Sequence, residues 1–149
     1  NEAEGTDGLT LLVAMRRVVE QDGKVRAILA QSYQLITAAI RERYLRDNVP
    51  VRLGGLAANL SRIKSFSAHD ASREVVESII DESKFFIEWT AAEAEVGTAA
   101  ELVELQVQLA RWQHNWARIW ADPGQRRTVI EQSASWSKRV LEMSGLLTR

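Results

Sequence analysis

Residues 98–120 read TAAELVELQVQLARWQHNWARIW and decide the class of fold. Large apolar side chains recur there in steps of three and four, at Leu102, Leu105, Leu109, Trp112, Trp116 and Ile119. Because 3.6 residues complete one turn, this spacing places all six on one side of an α-helix. Thr98 and Glu101 have the spacing of a capping box, which predicts a helix start at that point. We interpret the six residues, called the inner stripe below, as core packing.

A second apolar row lies on another side of the same predicted helix. Its members are Val103, Val107, Ala110 and His114, spaced by four, three and four residues. A helix that is apolar on two sides must be covered on both. Either the helix lies in the middle of a bundle, or this row, called the outer stripe below, meets another subunit. The four residues are therefore candidate interface residues.

The remaining sequence is also patterned for helices. The two prolines, at positions 50 and 123, stand where the helical spacing breaks. Asp122, followed by proline and then by Gln125, predicts a capped helix start, and Gly145 suits a left-handed helix end. Ser67 and Asp70 predict another start. No segment alternates with period two, so we predict an all-α fold, an antiparallel up-and-down bundle of four to six helices in a single domain over 1–149.

The N-terminal third leaves two interpretations open. Apolar residues recur about every 3.5 positions over residues 9–46 and stay in register across Asp22 and Gly23. This segment is either one long helix or two helices joined at that Asp-Gly pair. We favour one helix, because a turn usually resets the phase. The start at Asn1 rather than Met leaves open whether a segment precedes it.

Composition limits the function further. The 149 residues are 46% hydrophobic, contain no cysteine and carry a formal net charge of −1. Without cysteine there are no disulfides, zinc ribbons or thiolate catalysis, which is compatible with the reducing cytoplasm. The longest apolar run, residues 9–15, falls far short of the roughly 20 residues that a membrane span needs. We expect a cytoplasmic protein that does not bind membranes.

The histidines and glycines fit no catalytic or metal-binding motif. Neither His69 nor His114 follows an acidic residue by three positions, as the Glu-x-x-His pairs of di-iron bundles require. Gly54 and Gly55 lack the spacing and the preceding strand of a phosphate-binding loop, and close helix packing explains them better. We predict a non-catalytic protein without a metal or cofactor.

The tryptophans admit a second interpretation, as the lining of a site for a hydrophobic small molecule such as a pigment or a lipid. Core packing is favoured, because Trp112 and Trp116 continue the leucine row. The predicted C-terminal helix also offers small residues against which large rings can pack. These are Ser133, Ala134, Ser137 and Ser144.

Two further surface features are candidate binding sites. Phe85 and Trp89, four residues apart near acidic side chains, are typical of an interface edge, although burial under the N-terminal helix explains them equally well. A basic cluster within 41–64 is the candidate for nucleic-acid binding, although a solvated basic end of the bundle is favoured. The cluster consists of Arg41, Arg43, Arg46, Arg52, Arg62 and Lys64.

Three segments resemble a small, functionally uncharacterised helical family of photosynthetic bacteria. They are residues 52–60 (RLGGLAANL), 82–89 (ESKFFIEW) and 136–147 (WSKRVLEMSGLL). The resemblance covers residues 50–149 and implies a cytoplasmic housekeeping or regulatory role, with no activity, cofactor or catalytic residue attached to it. From the residues themselves we predict a non-catalytic interaction or assembly module that self-associates as a dimer or binds another protein.

Overall fold

The computed structural model describes residues 23–69 and 73–147, with side chains from residue 30 onwards. The described residues divide into two compact units, with the boundary between residues 46 and 47. The sequence predicted a single domain over 1–149, and that remains a prediction.

The described residues form six α-helices and no strands, which confirms the predicted all-α bundle. They are α1 (Gly23–Leu45), α2 (Val49–Ala68), α3 (Arg73–Thr90), α4 (Val96–His114), α5 (Trp116–Ala121) and α6 (Pro123–Ser144). A single 3₁₀ turn, Ala91–Glu93, follows α3. Helix α1 belongs to the first unit and the other five to the second. The question of one or two helices over 9–46 depends on residues 9–22, which lie outside the described residues.

Contacts within the second unit show that neighbouring helices run antiparallel. Between α2 and α3, Arg52 pairs with Glu93 just beyond the end of α3, and the Asn59 side-chain amide donates to Glu82 Oε1 at 3.1 Å. As the residue number rises along α2, the number of the residue that it contacts on the α3 side falls, as antiparallel helices require. Between α3 and α4, Asp81 is bonded to Gln113, and Lys84, further along α3, is bonded to Gln106, which lies earlier on α4. These two helices are therefore antiparallel as well. Contacts of Ala57 with Ser137 and of Gly54 with Leu146 show the same descending order between α2 and α6, so α2, α3, α4 and α6 form an up-and-down bundle.

Two predicted helix ends, at Asp122 and Gly145, are confirmed, and the helix break predicted at proline 50 is accompanied by a cap that was not predicted. Asn48 caps α2 by accepting from the Val51 amide at 3.1 Å, just before proline 50. The Asp122 carboxylate caps α6 by accepting from the amides of Gly124 and Gln125 at 2.9 and 3.3 Å. Gly145 ends α6 with a φ of 76°, the left-handed conformation that glycine adopts without strain.

Two predicted caps are wrong. Helix α4 begins at Val96, so Thr98 lies inside its first turn, and the residue before the helix, Glu95, makes no capping hydrogen bond with its side chain. Ser67 lies in the last turn of α2 and is buried there. In both cases the residue that was expected to precede a helix lies inside one, Thr98 in α4 and Ser67 in α2.

Helix α6 packs most closely on α2, whereas the sequence led us to expect its small residues opposite the tryptophans. The Ser137 hydroxyl of α6 donates to the Ala57 carbonyl of α2 at 2.8 Å. Further along the pair, a Cβ placed on Gly54 would lie 2.9 Å from Cδ1 of Leu146. Short side chains on both helices permit this close approach, as proposed for Gly54 from the sequence.

Removing the Ser133 hydroxyl is expected to stabilise the protein. Ser133 on α6 is fully buried, and its Oγ atom has no hydrogen-bond partner in the described part of the chain. A buried hydroxyl without a partner costs about 1–3 kcal/mol of desolvation. We expect Ser133→Ala to raise the free energy of unfolding by about 1 kcal/mol in urea denaturation. Ser137→Ala is the control and should lower it, because that hydroxyl has a partner.

Candidate interaction surface

The inner stripe forms the buried side of α4 and continues into α5. All six of its residues are buried, from Leu102 to Ile119. The helix breaks at Asn115, where the sequence predicted a continuous helix as far as residue 120, yet the apolar spacing survives the break. The prediction that these side chains build the core is confirmed.

The tryptophans of the inner stripe pack inside the bundle. Trp112 and Trp116 are 4% and 2% exposed. The indole N–H of Trp116 donates to the Arg73 carbonyl at the start of α3, over 3.0 Å. Trp120, at the end of α5, is half-buried, and the Arg126 guanidinium lies 4.1 Å from the centre of its ring. The bundle thus both buries the Trp116 ring and satisfies its one polar atom.

The outer stripe is exposed, which excludes the interpretation that α4 lies in the middle of the bundle. Val103 and Val107 are 51% and 45% exposed, and Ala110 and His114 are also exposed. Helix α4 therefore lies at the surface of its unit. It presents a row of apolar side chains on the side away from the core.

Contacts with α3 hold one flank of α4 in place. The Lys84 ammonium donates to Gln113 Oε1 at 2.7 Å, and the Gln113 amide nitrogen donates to Asp81 Oδ1 at 3.1 Å. Two turns earlier on α4, Gln106 donates to the Lys84 carbonyl at 3.4 Å. This chain of hydrogen bonds fixes the rotation of α4 about its axis, and with it the direction of the outer stripe.

An ion pair with α6 holds the other flank. Arg139 donates two hydrogen bonds to the Glu101 carboxylate, at 2.7 and 2.6 Å. These bonds hold the pKa of Glu101 below its ordinary value and raise that of Arg139. Both side chains are partly exposed, so solvent screens the pair and its main effect is to position α4.

Two charged residues beside the outer stripe were not among the candidates predicted from the sequence. Glu104 and Arg111 are exposed and each follows a stripe residue, Val103 and Ala110 respectively. They are seven residues apart, which is two helical turns, so they lie on one line along α4. That spacing was visible in the sequence, but these two charges were not related there to the outer stripe.

Phe85 and Trp89 form a separate aromatic patch on α3. Their rings stack with centroids 5.4 Å apart and planes inclined by 22°, and both side chains are half-buried. Phe85 is nine residues from the fully buried Val76, a rotation of about 180°. The patch thus lies about half a helical turn around the axis of α3 from Val76 and on a different helix from the outer stripe.

The six residues of the predicted basic cluster do not form one exposed patch. Arg52 is 6% exposed, donates to the Asp47 carbonyl at 2.8 Å and pairs with Glu93 over 2.5 Å. It serves the structure, because it ties the start of α2 to the turn after α3. Arg62 and Lys64 are exposed further along α2. Arg41, Arg43 and Arg46 are exposed residues of the first unit.

A surface hollow of about 380 Å³ lies beside the start of α6 and not at the buried tryptophans. It is lined by Ser67, Ala68, Pro123, Arg126, Arg127 and Ile130. No three histidine, aspartate or glutamate side chains within the described residues stand close enough to hold a metal ion.

The fold and its surface define a helical-bundle protein with one apolar helix side exposed. Comparisons with protein-family models, with curated proteins and with solved structures gave no significant match. The resemblance to a helical family of photosynthetic bacteria stays a prediction. Among the helices that the structure describes, none is both long enough and apolar enough to cross a membrane.

Proposed function

We propose that the protein is a non-catalytic assembly module of the cytoplasm that self-associates through the outer stripe of α4. The observation that carries the proposal is the exposure of Val103 and Val107 on a helix whose other side is fully buried. Exposed valines in a row leave apolar surface in water, and burial against a matching row removes it. The flanking contacts to α3 and α6 mean that little ordering of the backbone accompanies binding.

The size of the stripe sets the expected affinity. Helix α4 has 19 residues, so it is about 28 Å long and about 10 Å wide. One such side covers roughly 300 Å² on each partner, less than the approximately 800 Å² of a standard interface. A weak dimer is therefore expected, with a dissociation constant in the high micromolar range.

Two other functions were considered from the sequence, and the geometry gives them less support. A site for a pigment or a lipid among the tryptophans would need open space there, but Trp112 and Trp116 are buried in the core. Nucleic-acid binding through the basic cluster is less favoured, because the Arg52 side chain is buried and paired with Glu93.

Charge placed in the outer stripe is expected to abolish self-association. In Val107→Glu, dimer formation would bury a carboxylate against apolar side chains, and the desolvation cost exceeds what a small interface contributes. Sedimentation of the wild type from low micromolar to about 1 mM should show a growing dimer fraction. The variant should remain monomeric over the same range.

Val51→Glu is the matched control for this experiment. Val51 lies on α2 and has the same exposure as Val107, 45%. The control should dimerise like the wild type. A wild type that remains monomeric at every concentration would refute self-association, and equal weakening by both variants would place the interface elsewhere.

A further inference from the structure

We infer that two copies of the chain meet through antiparallel α4 helices, with Glu104 of each copy paired to Arg111 of the other. The inference rests on the proposed self-association and adds its geometry. Its evidence is the spacing of the outer stripe together with the position of these two charges beside it.

The outer stripe has the spacing of a coiled-coil seam. Steps of four, three and four from Val103 to His114 place its residues alternately at the d and a positions of a heptad. Two helices that meet along such a seam insert the side chains of one between those of the other. In an antiparallel pair each d residue faces an a residue, so Val103 faces His114 and Val107 faces Ala110 across a two-fold axis.

The charges distinguish the antiparallel orientation from the parallel one. Glu104 and Arg111 both occupy the e position, and about 10.5 Å of helix separates them, too far for an ion pair within one chain. In an antiparallel pair the e positions of the two helices lie side by side, which brings Glu104 of each copy to Arg111 of the other. In a parallel pair, e faces g, and Glu104 and Arg111 would meet the uncharged Ala99 and Gln106.

The g positions, on the other flank of the seam, introduce no charge repulsion in the antiparallel pair. The g positions there are Gln106 and Gln113, uncharged residues whose side chains donate to groups of α3. Two identical g rows can therefore face each other across the two-fold axis without like charges meeting. The polar selectivity of the interface comes from the e row.

Exchanging the two charges tests the pairing. Glu104→Arg alone and Arg111→Glu alone each place like charges together twice in the dimer, and each should weaken dimerisation about tenfold at low salt. The double variant restores both pairs and should return the dissociation constant to within about threefold of the wild type. Glu131→Arg, at an exposed position on α6, makes the same change of net charge as Glu104→Arg and should have little effect.

Cysteine cross-linking tests the orientation independently, because the chain has no native cysteine. Val103→Cys and His114→Cys proteins, mixed under mild oxidation, should form a disulfide-linked heterodimer, while each protein alone should not. Cross-linking of either protein alone, or a dimer in which neither the mixture nor the single proteins cross-link, would overturn the antiparallel pairing. A double variant that dimerises no better than the single variants would also overturn the antiparallel pairing. If the wild type does not dimerise at all, the proposed function fails first, so the two failures are distinguishable.

Discussion

Replacing Trp116 with alanine is expected to lower the free energy of unfolding by about 3–5 kcal/mol. The ring is 2% exposed, so alanine leaves a large cavity where the end of the inner stripe meets α3. The change also removes the N–H that donates to the Arg73 carbonyl at the start of α3. Urea denaturation followed by circular dichroism measures the loss.

Two further variants separate the causes of this loss. Trp116→Phe keeps most of the ring but removes the donor, and should cost about 1–2 kcal/mol. Trp120→Ala makes the same deletion in the same short helix, where the ring is half-buried beside Arg126, and should cost about 1 kcal/mol. A loss below about 1 kcal/mol for Trp116→Ala would show that the ring does not hold the bundle together.

The sequence was sufficient to predict the features that depend on local periodicity and two of the helix ends, whereas the caps predicted at Thr98 and Ser67 are wrong. The inner stripe was predicted to be buried because its large apolar side chains, spaced by three and four, lie on one side of a helix, and all six are buried even across the break at Asn115. The cap at Asp122 was also predicted, since a short polar side chain satisfies amides of its own helix. None of these features requires knowledge of the rest of the chain.

The features that the sequence did not predict depend on contacts between helices. Arg52 reads as part of a basic run, but its ion pair with Glu93 crosses 41 positions of sequence. The neighbour of α6 was also missed, since the small residues of that helix fit several partners equally well in a pattern analysis. Only the arrangement of the bundle brings Ser137 to Ala57.

The candidate surface falls between these two cases. The outer stripe was identified from its spacing, but the same spacing suited a helix in the middle of the bundle. Exposure of Val103 and Val107 decided that question. Glu104 and Arg111 are candidate interface residues only because the stripe beside them is exposed. The sequence alone could not distinguish them from ordinary solvated charges.

A larger side chain at position 57 is expected to destabilise the protein, because α2 and α6 pack closely there. Ala57 is buried, and its carbonyl accepts the Ser137 hydroxyl at 2.8 Å. Four-carbon side chains do not fit between helices that approach so closely without moving them apart. We expect Ala57→Leu to lower the free energy of unfolding by about 1–3 kcal/mol, measured by urea denaturation.

The neighbouring residue supplies a matched control for this substitution. Ala58 lies on the same helix but is exposed, and leucine is nearly as good a helix former as alanine. Ala58→Leu should therefore change the free energy of unfolding by no more than about 0.5 kcal/mol. Equal effects at the two positions would contradict the packing argument, because a general effect of leucine on α2 acts at both sites. A loss confined to Ala57→Leu identifies steric conflict with α6 as the cause, since burial is what distinguishes the two alanines.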